Sequence, residues 1–491
     1  MKVGKARCVM VLGTSSGAGK SWVTTALCRF YARQGLKVAP FKAQNMSNNA
    51  RVVASHNGMG EIGSAQYFQA LAACAEPDVR MNPLLLKPEA DTHSQVVLLG
   101  EVDAELTNTP WRGRSEKVWP TIAASLDALC AENDVVVIEG AGSPAEINLM
   151  ANDIVNLRVA RHCAARCLLV TDIDRGGAFA HLYGTWALLA QEDQALIHGF
   201  VLNKFRGDPA LLAPAPEQLQ ALTGIPVVAT LPMWWQHGLP EEDGVFDDRS
   251  RSAGAVTRTI AVVAYPRISN LDEFQPLKNV PGVRLLWARS PADLTGLNAG
   301  DWIVLPGSKH TSSDLAWLRA QGLDQAVTRH AQQGGAILGI CGGMQMLGTA
   351  LLDPHGIDGN AAGLALLPLE TTFAIEKTVR RSTPQFAELS GPWASLSGIA
   401  VHGYEIHHGQ TRPHPGLADA GEVAHEVIKD LAWQSADGRV LGLYVHGIFE
   451  DPAVLQALFG VHVPTLDSVF EGLADYLQKN MDAAVLKNLI S

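Results

Sequence analysis

Cys341 stands in Ile337-Leu-Gly339-Ile-Cys341-Gly-Gly343-Met-Gln345, an apolar run that bends at glycines and resumes as a helix-like segment. Such a strand, tight turn and helix exposes the sulfur above a sheet and aims a helix N-terminus at it, favouring the thiolate. A thiolate that attacks an amide carbonyl needs a base beside it and donors for the developing oxyanion. His446, which closes the apolar run Gly442-Leu-Tyr-Val-His446, is expected as that base. The Gly342 N–H and a backbone N–H near Gly307, in Leu305-Pro-Gly-Ser-Lys-His-Thr311, are the expected oxyanion donors. A buried cysteine and a core histidine are the bland alternative, and an elbow followed by a strand-end histidine outweighs it.

A second constellation lies near the N-terminus, in Gly13-Thr-Ser-Ser-Gly17-Ala-Gly19-Lys20-Ser21. Between a strand and a helix, the N–H groups of such a loop point at phosphates and the helix dipole adds to the attraction. Gly17 and Gly19 permit the tight backbone, Lys20 would reach the outer phosphates, and the Ser21 hydroxyl would ligate Mg²⁺. The first glycine falls one residue earlier than in the ordinary phosphate-loop spacing, and Thr14 occupies its place. A dinucleotide fingerprint is a poor fit, because Trp22 stands where a third glycine belongs. Glu139, at the end of the apolar run Val135-Val-Val-Ile-Glu139-Gly-Ala-Gly, is expected as a second Mg²⁺ contact. Asn203 and Lys204 follow another apolar run, where an adenine edge could be bonded. Lys42, Asp172, Asp174 and Arg175 lie after expected strands, where substrate or metal contacts belong; each alone is also an ordinary surface charge.

Positioning these groups requires short apolar strands separated by amphipathic helices, hence α/β architecture with ligands at the strands' carboxyl ends. Strands are expected at Ala6–Gly13, Lys37–Phe41, Asp134–Ile138, Arg166–Thr171 and Gly199–Asn203, with a helix from Lys20 to about Arg33. The acidic stretch Glu241–Val256 reads as a linker. The pattern then restarts with strands at Thr259–Ala264, Val283–Ala288, Trp302–Leu305 and Ala336–Ile340, and one long helix near Asp314–Gln333. The expected organisation is a doubly wound parallel sheet over 1–240, a linker over 241–257 and a second α/β domain over 258–491. Its terminal helical segment, Ser468–Ile490, is expected to pack on that second domain.

A chain of 491 residues exceeds the size at which single cores stop growing, which supports two domains. A formal net charge of −11 argues against a nucleic-acid surface. No apolar stretch approaches a membrane span, no signal peptide is read at the N-terminus, and seven scattered cysteines suit reduced thiols, so a cytoplasmic location is expected.

The N-terminal motifs, with the shifted loop and the Glu139-Gly-Ala-Gly strand end, resemble the dethiobiotin synthetase family, in which a carboxylate is phosphorylated and then attacked by nitrogen. Partitioning ATPases carry a signature lysine where this chain has Ser15, which disfavours a nucleotide-dependent switch. The second half is similar to class I glutamine amidotransferases. That family's His-x-Glu pattern is broken here by Ile448; Glu450 lies beyond it, and the group orienting His446 is left open. Together the halves resemble the cobyrinate amidating enzymes of cobalamin synthesis over nearly the whole chain. Phe41-Lys-Ala-Gln-Asn-Met-Ser47, Ser94-Gln-Val-Val97, Glu139 to Leu149, Thr171 to Gly177 and Leu305 to Lys309 favour one member over the a,c-diamide synthase. The resemblance implies ATP- and glutamine-dependent amidation of the b, d, e and g carboxylates of adenosylcobyrinic acid a,c-diamide. The expected partners are therefore a corrinoid, glutamine and ATP with Mg²⁺.

Overall fold

Along Arg7–Gly13 successive side chains feed two different apolar clusters. Val9 and Val11 enter one, with Val23, Leu27, Val135 and Val137; Cys8, Met10 and Leu12 enter the other, with Val136, Ile138, Ile122 and Leu126. A strand apolar on both faces is covered on both, which is why these runs are continuous rather than alternating in polarity. In the computed structural model, which describes residues 6–90, 92–235, 237–240, 255–461 and 464–491, this strand is central to a six-stranded sheet. The order is Val227–Pro232, Ile197–Phe205, Arg166–Asp172, Arg7–Gly13, Val135–Glu139, Val38–Phe41, all parallel. Strand order reverses at Arg7–Gly13, so the loop leaving that strand sits at the crevice where such sheets bind ligands.

The second sheet has seven strands, ordered Val283–Ala288, Arg258–Val263, Trp302–Leu305, Ala336–Ile340, Val440–Leu443, Ala432–Gln434, His425–Ile428. The first five are parallel, and Ala432–Gln434 pairs antiparallel with both Val440–Leu443 and His425–Ile428. The helix expected over Asp314–Gln333 is two, Thr311–Ala320 and Leu323–Gln332. Gly322 interrupts it at φ 74°, a conformation that ends a helix at little cost only for glycine. Most of the expected linker, 241–254, lies outside the described residues.

The terminal segment does not pack where it was expected. It forms Leu466–Asn480 and Ala483–Asn488, and both return to the first sheet. Phe470, Leu473, Ala474 and Leu477 join the cluster of Val9 and Val11, and Tyr31 donates to the Leu486 carbonyl at 2.8 Å. Arg29 on the helix Lys20–Ala32 and Arg33 just beyond its end pair with Asp467, Glu471 and Asp475. The amphipathic stripe was legible, but a stripe does not say which exposed apolar face it covers. Leu473→Ala is therefore expected to destabilise the nucleotide-loop half by about 2–5 kcal/mol, measured by denaturant unfolding with a probe in that half.

Two insertions join the halves. Ala50–Ser55 and Gly58–Gly63 form a hairpin, and Leu369–Ser382 pairs antiparallel with Gly403–Pro413. Ala50 and Val52 of the hairpin, with Leu85 of the strand Leu84–Ala90 and Val97 of His93–Leu98, pack against Tyr404 and Ile406 of the second. No helix among the described residues is long and apolar enough to cross a membrane.

Candidate active site

Around the N-terminal loop the chain folds back on its lysine. Lys20 is buried, and Nζ donates to the carbonyls of Ser15 at 2.9 Å and Gly142 at 3.2 Å. Gly19 has φ 99°, and a Cβ there would lie 2.0 Å from Asn203 Nδ2, so only glycine fits. Thr14 Oγ1 donates to Thr171 Oγ1 at 3.0 Å, tying the loop to the neighbouring strand end. Ser21 Oγ donates to Glu139 Oε1 at 2.8 Å, Lys42 Nζ donates to the same oxygen at 2.8 Å, and Gln69 Nε2 donates to Oε2 at 2.5 Å. Burial opposes the Glu139 carboxylate, but Lys42, these bonds and Lys20 hold it below its ordinary range. The structure thus gathers Thr14, Lys20, Ser21, Lys42 and Glu139 at one place.

The other expected contacts are distributed less simply. Asp172 accepts from Lys204 at 3.1 Å and forms an ion pair with Arg175 at 3.3 Å, and Lys204 also donates to the Gly17 carbonyl at 2.8 Å. Asp174 lies further out, paired with Arg206. Asn203, expected at an adenine edge, lies against the loop: Nδ2 donates to the Ala18 carbonyl and Oδ1 accepts from Lys204 N, both at 2.9 Å.

In the second half, Cys341 sits at φ 49°, ψ −109°, a strained corner between Ala336–Ile340 and the short helix Gly342–Leu347. Gly343 makes the corner possible, since a Cβ there would lie 1.8 Å from the Leu305 carbonyl oxygen. The segments expected to donate to an oxyanion meet here: a Cβ on Gly342 would lie 2.9 Å from Ser308 N, and one on Gly307 would lie 2.8 Å from His446 Cε1. Cys341 and His446 line one cavity with Ser308, Gln345 and Ile406, and its wall includes Asn48 and Lys87 from the first half.

Glu273 orients the imidazole. Its Oε1 lies 3.2 Å from His446 Nδ1, and its Oε2 accepts from Gly447 N at 2.9 Å; both side chains are fully buried. Burial alone would depress the His446 pKa, but the Glu273 carboxylate and the Cys341 thiol overcome it and lift it to about 10. A proton is thereby held on the imidazole beside the nucleophile. Glu450 does not reach the histidine but turns to Arg51, at 2.5 Å. Sequence reading missed Glu273 because 173 residues separate it from His446. The available signal was an acidic pair, Asp272-Glu273, in the apolar turn after the strand Arg258–Val263. Glu273→Gln is expected to cost about 10²-fold or more in steady-state glutamine hydrolysis, whereas Glu450→Gln stays within a few-fold. Equal, severe losses in both would restore Glu450 as the third member.

The two centres have the character of a nucleotide-dependent activator and a cysteine amidohydrolase in one chain. Residues 9–241 match the model of the CobQ/CobB/MinD/ParA nucleotide binding domain, and residues 259–454 that of the CobB/CobQ-like glutamine amidotransferase domain. The chain is 75% identical to a cobyric acid synthase of Variovorax paradoxus (strain S110), over 99% of each chain. It is 72% identical to one of Polaromonas naphthalenivorans (strain CJ2), over 99% of this chain and 100% of the relative. To one of Leptothrix cholodnii it is 61% identical, over 99% and 97%. The protein is a glutamine-dependent ligase of cobalamin biosynthesis, with a nucleotide-binding half and a glutamine amidotransferase half. Within that class, the chain belongs to the cobyric acid synthase family.

Proposed function

We propose that the protein amidates the b, d, e and g carboxylates of adenosylcobyrinic acid a,c-diamide, using one ATP and one glutamine for each. The observation that carries this reading is the pairing of two complete centres in one chain. Glu139, Lys42 and Ser21 converge on the phosphate loop, and Cys341, His446 and Glu273 converge on the elbow.

In the first centre a substrate carboxylate oxygen attacks the terminal phosphorus of ATP, and ADP leaves. Lys20 stabilises the negative charge on the transferring group. Ser21 Oγ and Glu139 Oε1, 2.8 Å apart, form an oxygen pair of the kind magnesium takes alongside phosphates and water. They would hold that ion, which neutralises phosphate charge. Lys42, bonded to Glu139, is placed to draw in the substrate carboxylate.

In the second centre Cys341 Sγ attacks the glutamine carboxamide carbon. Backbone donors at Gly342 and around Gly307 and Ser308 bind the oxyanion, and His446 gives its proton to the departing ammonia. Water then cleaves the thioester to glutamate. The ammonia attacks the acyl phosphate carbon, phosphate leaves, and an amide remains. All partners are small molecules, and reduced cysteines suit a cytoplasmic enzyme.

Mass spectrometry of the a,c-diamide and of cobyrinic acid, each incubated with ATP and glutamine, tests the substrate assignment. Stepwise amidation of the a,c-diamide with cobyrinic acid left unchanged is expected. Preference for cobyrinic acid, stopping at two amides, would assign the a,c-diamide synthase activity instead.

A further inference from the structure

A short piece of chain runs from one centre to the other. Lys42 is bonded to Glu139, Asn48 lines the cysteine cavity, and Arg51 lies behind the histidine. Its seat is fixed by a reciprocal clamp: Ala50 N donates to Asn270 Oδ1, and Leu271 N donates to Asn49 Oδ1, each at 2.9 Å. The clamp sets the hairpin against the very turn that carries Asp272 and Glu273.

Arg51 is 2% exposed. Its guanidinium donates to Asp272 Oδ2, to Glu450 Oε1 and to the Tyr404 hydroxyl, each at 2.5 Å, and lies 5.0 Å from the centre of the Tyr404 ring. Every one of these partners leads to His446. Asp272 immediately precedes Glu273. The Tyr404 ring stacks on the imidazole, with centroids 5.4 Å apart at 19°, and His446 N donates to the Tyr404 carbonyl at 2.8 Å. Glu450 closes the turn Ile448–Glu450 that follows His446-Gly447, its N–H donating to the Gly447 carbonyl at 2.9 Å.

Without Arg51, the Asp272 and Glu450 carboxyl groups would lie beside Glu273 with no arginine among them, and the like charges would lift the Asp272 and Glu450 pKa further. Burial, and after it Glu273, already lifts the Asp272 carboxyl above its ordinary range despite Arg51. The groups bearing on the imidazole are Glu273 and Cys341; those bearing on Glu273 are Arg51, Asp272, Tyr404, Glu450 and Tyr265.

We propose that Arg51, supplied by the nucleotide-binding half, is a positioning residue of the glutaminase. It holds the Asp272-Glu273 turn and the Tyr404 ring against His446, so the thiol centre is complete only when the hairpin carrying Arg51 is seated. This rests on the reading of Cys341, His446 and Glu273 given above. It also gives the two centres a physical link, since displacement of the chain from Lys42 onward is felt at the histidine.

The test is the pH profile of glutamine hydrolysis by the full chain. Arg51→Met is expected to lower kcat about 10–10²-fold with KM changed less, because His446 loses its alignment. Its acid limb should move up by about one pH unit or more, because Asp272, on the turn that carries Glu273, loses its neighbouring cation. Arg51→Lys keeps the charge but cannot hold three partners in one fork, so the limb should return toward the parent while kcat stays about tenfold low. A purely structural bridge would lower the melting temperature and leave the limb in place, which would overturn the proposal. If Arg51→Met does not fold, Arg51→Lys decides alone, and a parent-like kcat refutes the role. Cys341→Ala is assayed alongside. Persistent hydrolysis there would overturn the glutaminase reading itself, whereas its loss with an unmoved Arg51→Met limb would overturn only the role of Arg51.

Discussion

Cys341→Ala is expected to abolish glutamine-supported amide formation, by about 10³-fold or more, while formation from concentrated ammonium salt persists. The thiol supplies the bond-forming electron pair in glutamine cleavage, and alanine offers nothing in its place. It has no part in carboxyl activation: Cys341 opens into a cavity bounded by His446, Gln345 and Ile406, while Lys20, Ser21 and Glu139 cluster at the other sheet. The substitution removes one sulfur from a buried corner, and the elbow backbone is fixed by its glycines and by Cys341 N bonding to the Leu443 carbonyl at 2.7 Å. Assays with each nitrogen source settle the matter. Equal loss with both would contradict the separation of the two chemistries.

Lys20→Ala is expected to fall by about 10²–10³-fold with either nitrogen source. The ammonium salt that rescues a missing nucleophile cannot rescue a carboxylate that is never activated. The Lys20 ammonium is held by the Ser15 and Gly142 carbonyls, so it is pre-placed and no side-chain search is needed when phosphates arrive. Glutamine hydrolysis measured alone should be affected far less than synthesis. Ammonium-supported synthesis near the parent level would remove the phosphate-loop assignment.

What the sequence discloses follows from the range of each interaction. Strands such as Val135–Glu139 and Val283–Ala288 are legible to within a residue or so, because burial on both faces forces a continuous apolar run. The loop around Lys20 and the elbow at Cys341 are legible because their backbone demands glycine at fixed spacing. Glu273 was not, since nothing local distinguishes a buried acid that serves a distant histidine from one that caps a turn. The same holds for Arg51, whose partners come from three separate segments of the other half. The hairpin that carries it has a two-residue tip, His56-Asn57, with Gly58 opening the return strand, a weaker local mark than an Asn-Gly turn. Helix Leu466–Asn480 shows the opposite failure: its form was evident, but the choice between two exposed sheets is a property of the assembled halves.

The central claim is that one half activates a carboxylate by phosphorylation and the other delivers glutamine nitrogen to it. Its most direct test is a double-label turnover, with ¹⁸O in the peripheral carboxylates of the a,c-diamide and ¹⁵N in the glutamine amide. The account predicts one ¹⁵N in each new amide and one ¹⁸O carried into the phosphate released with it. Amide formation that leaves the phosphate unlabelled, or that draws its nitrogen from elsewhere, would contradict it.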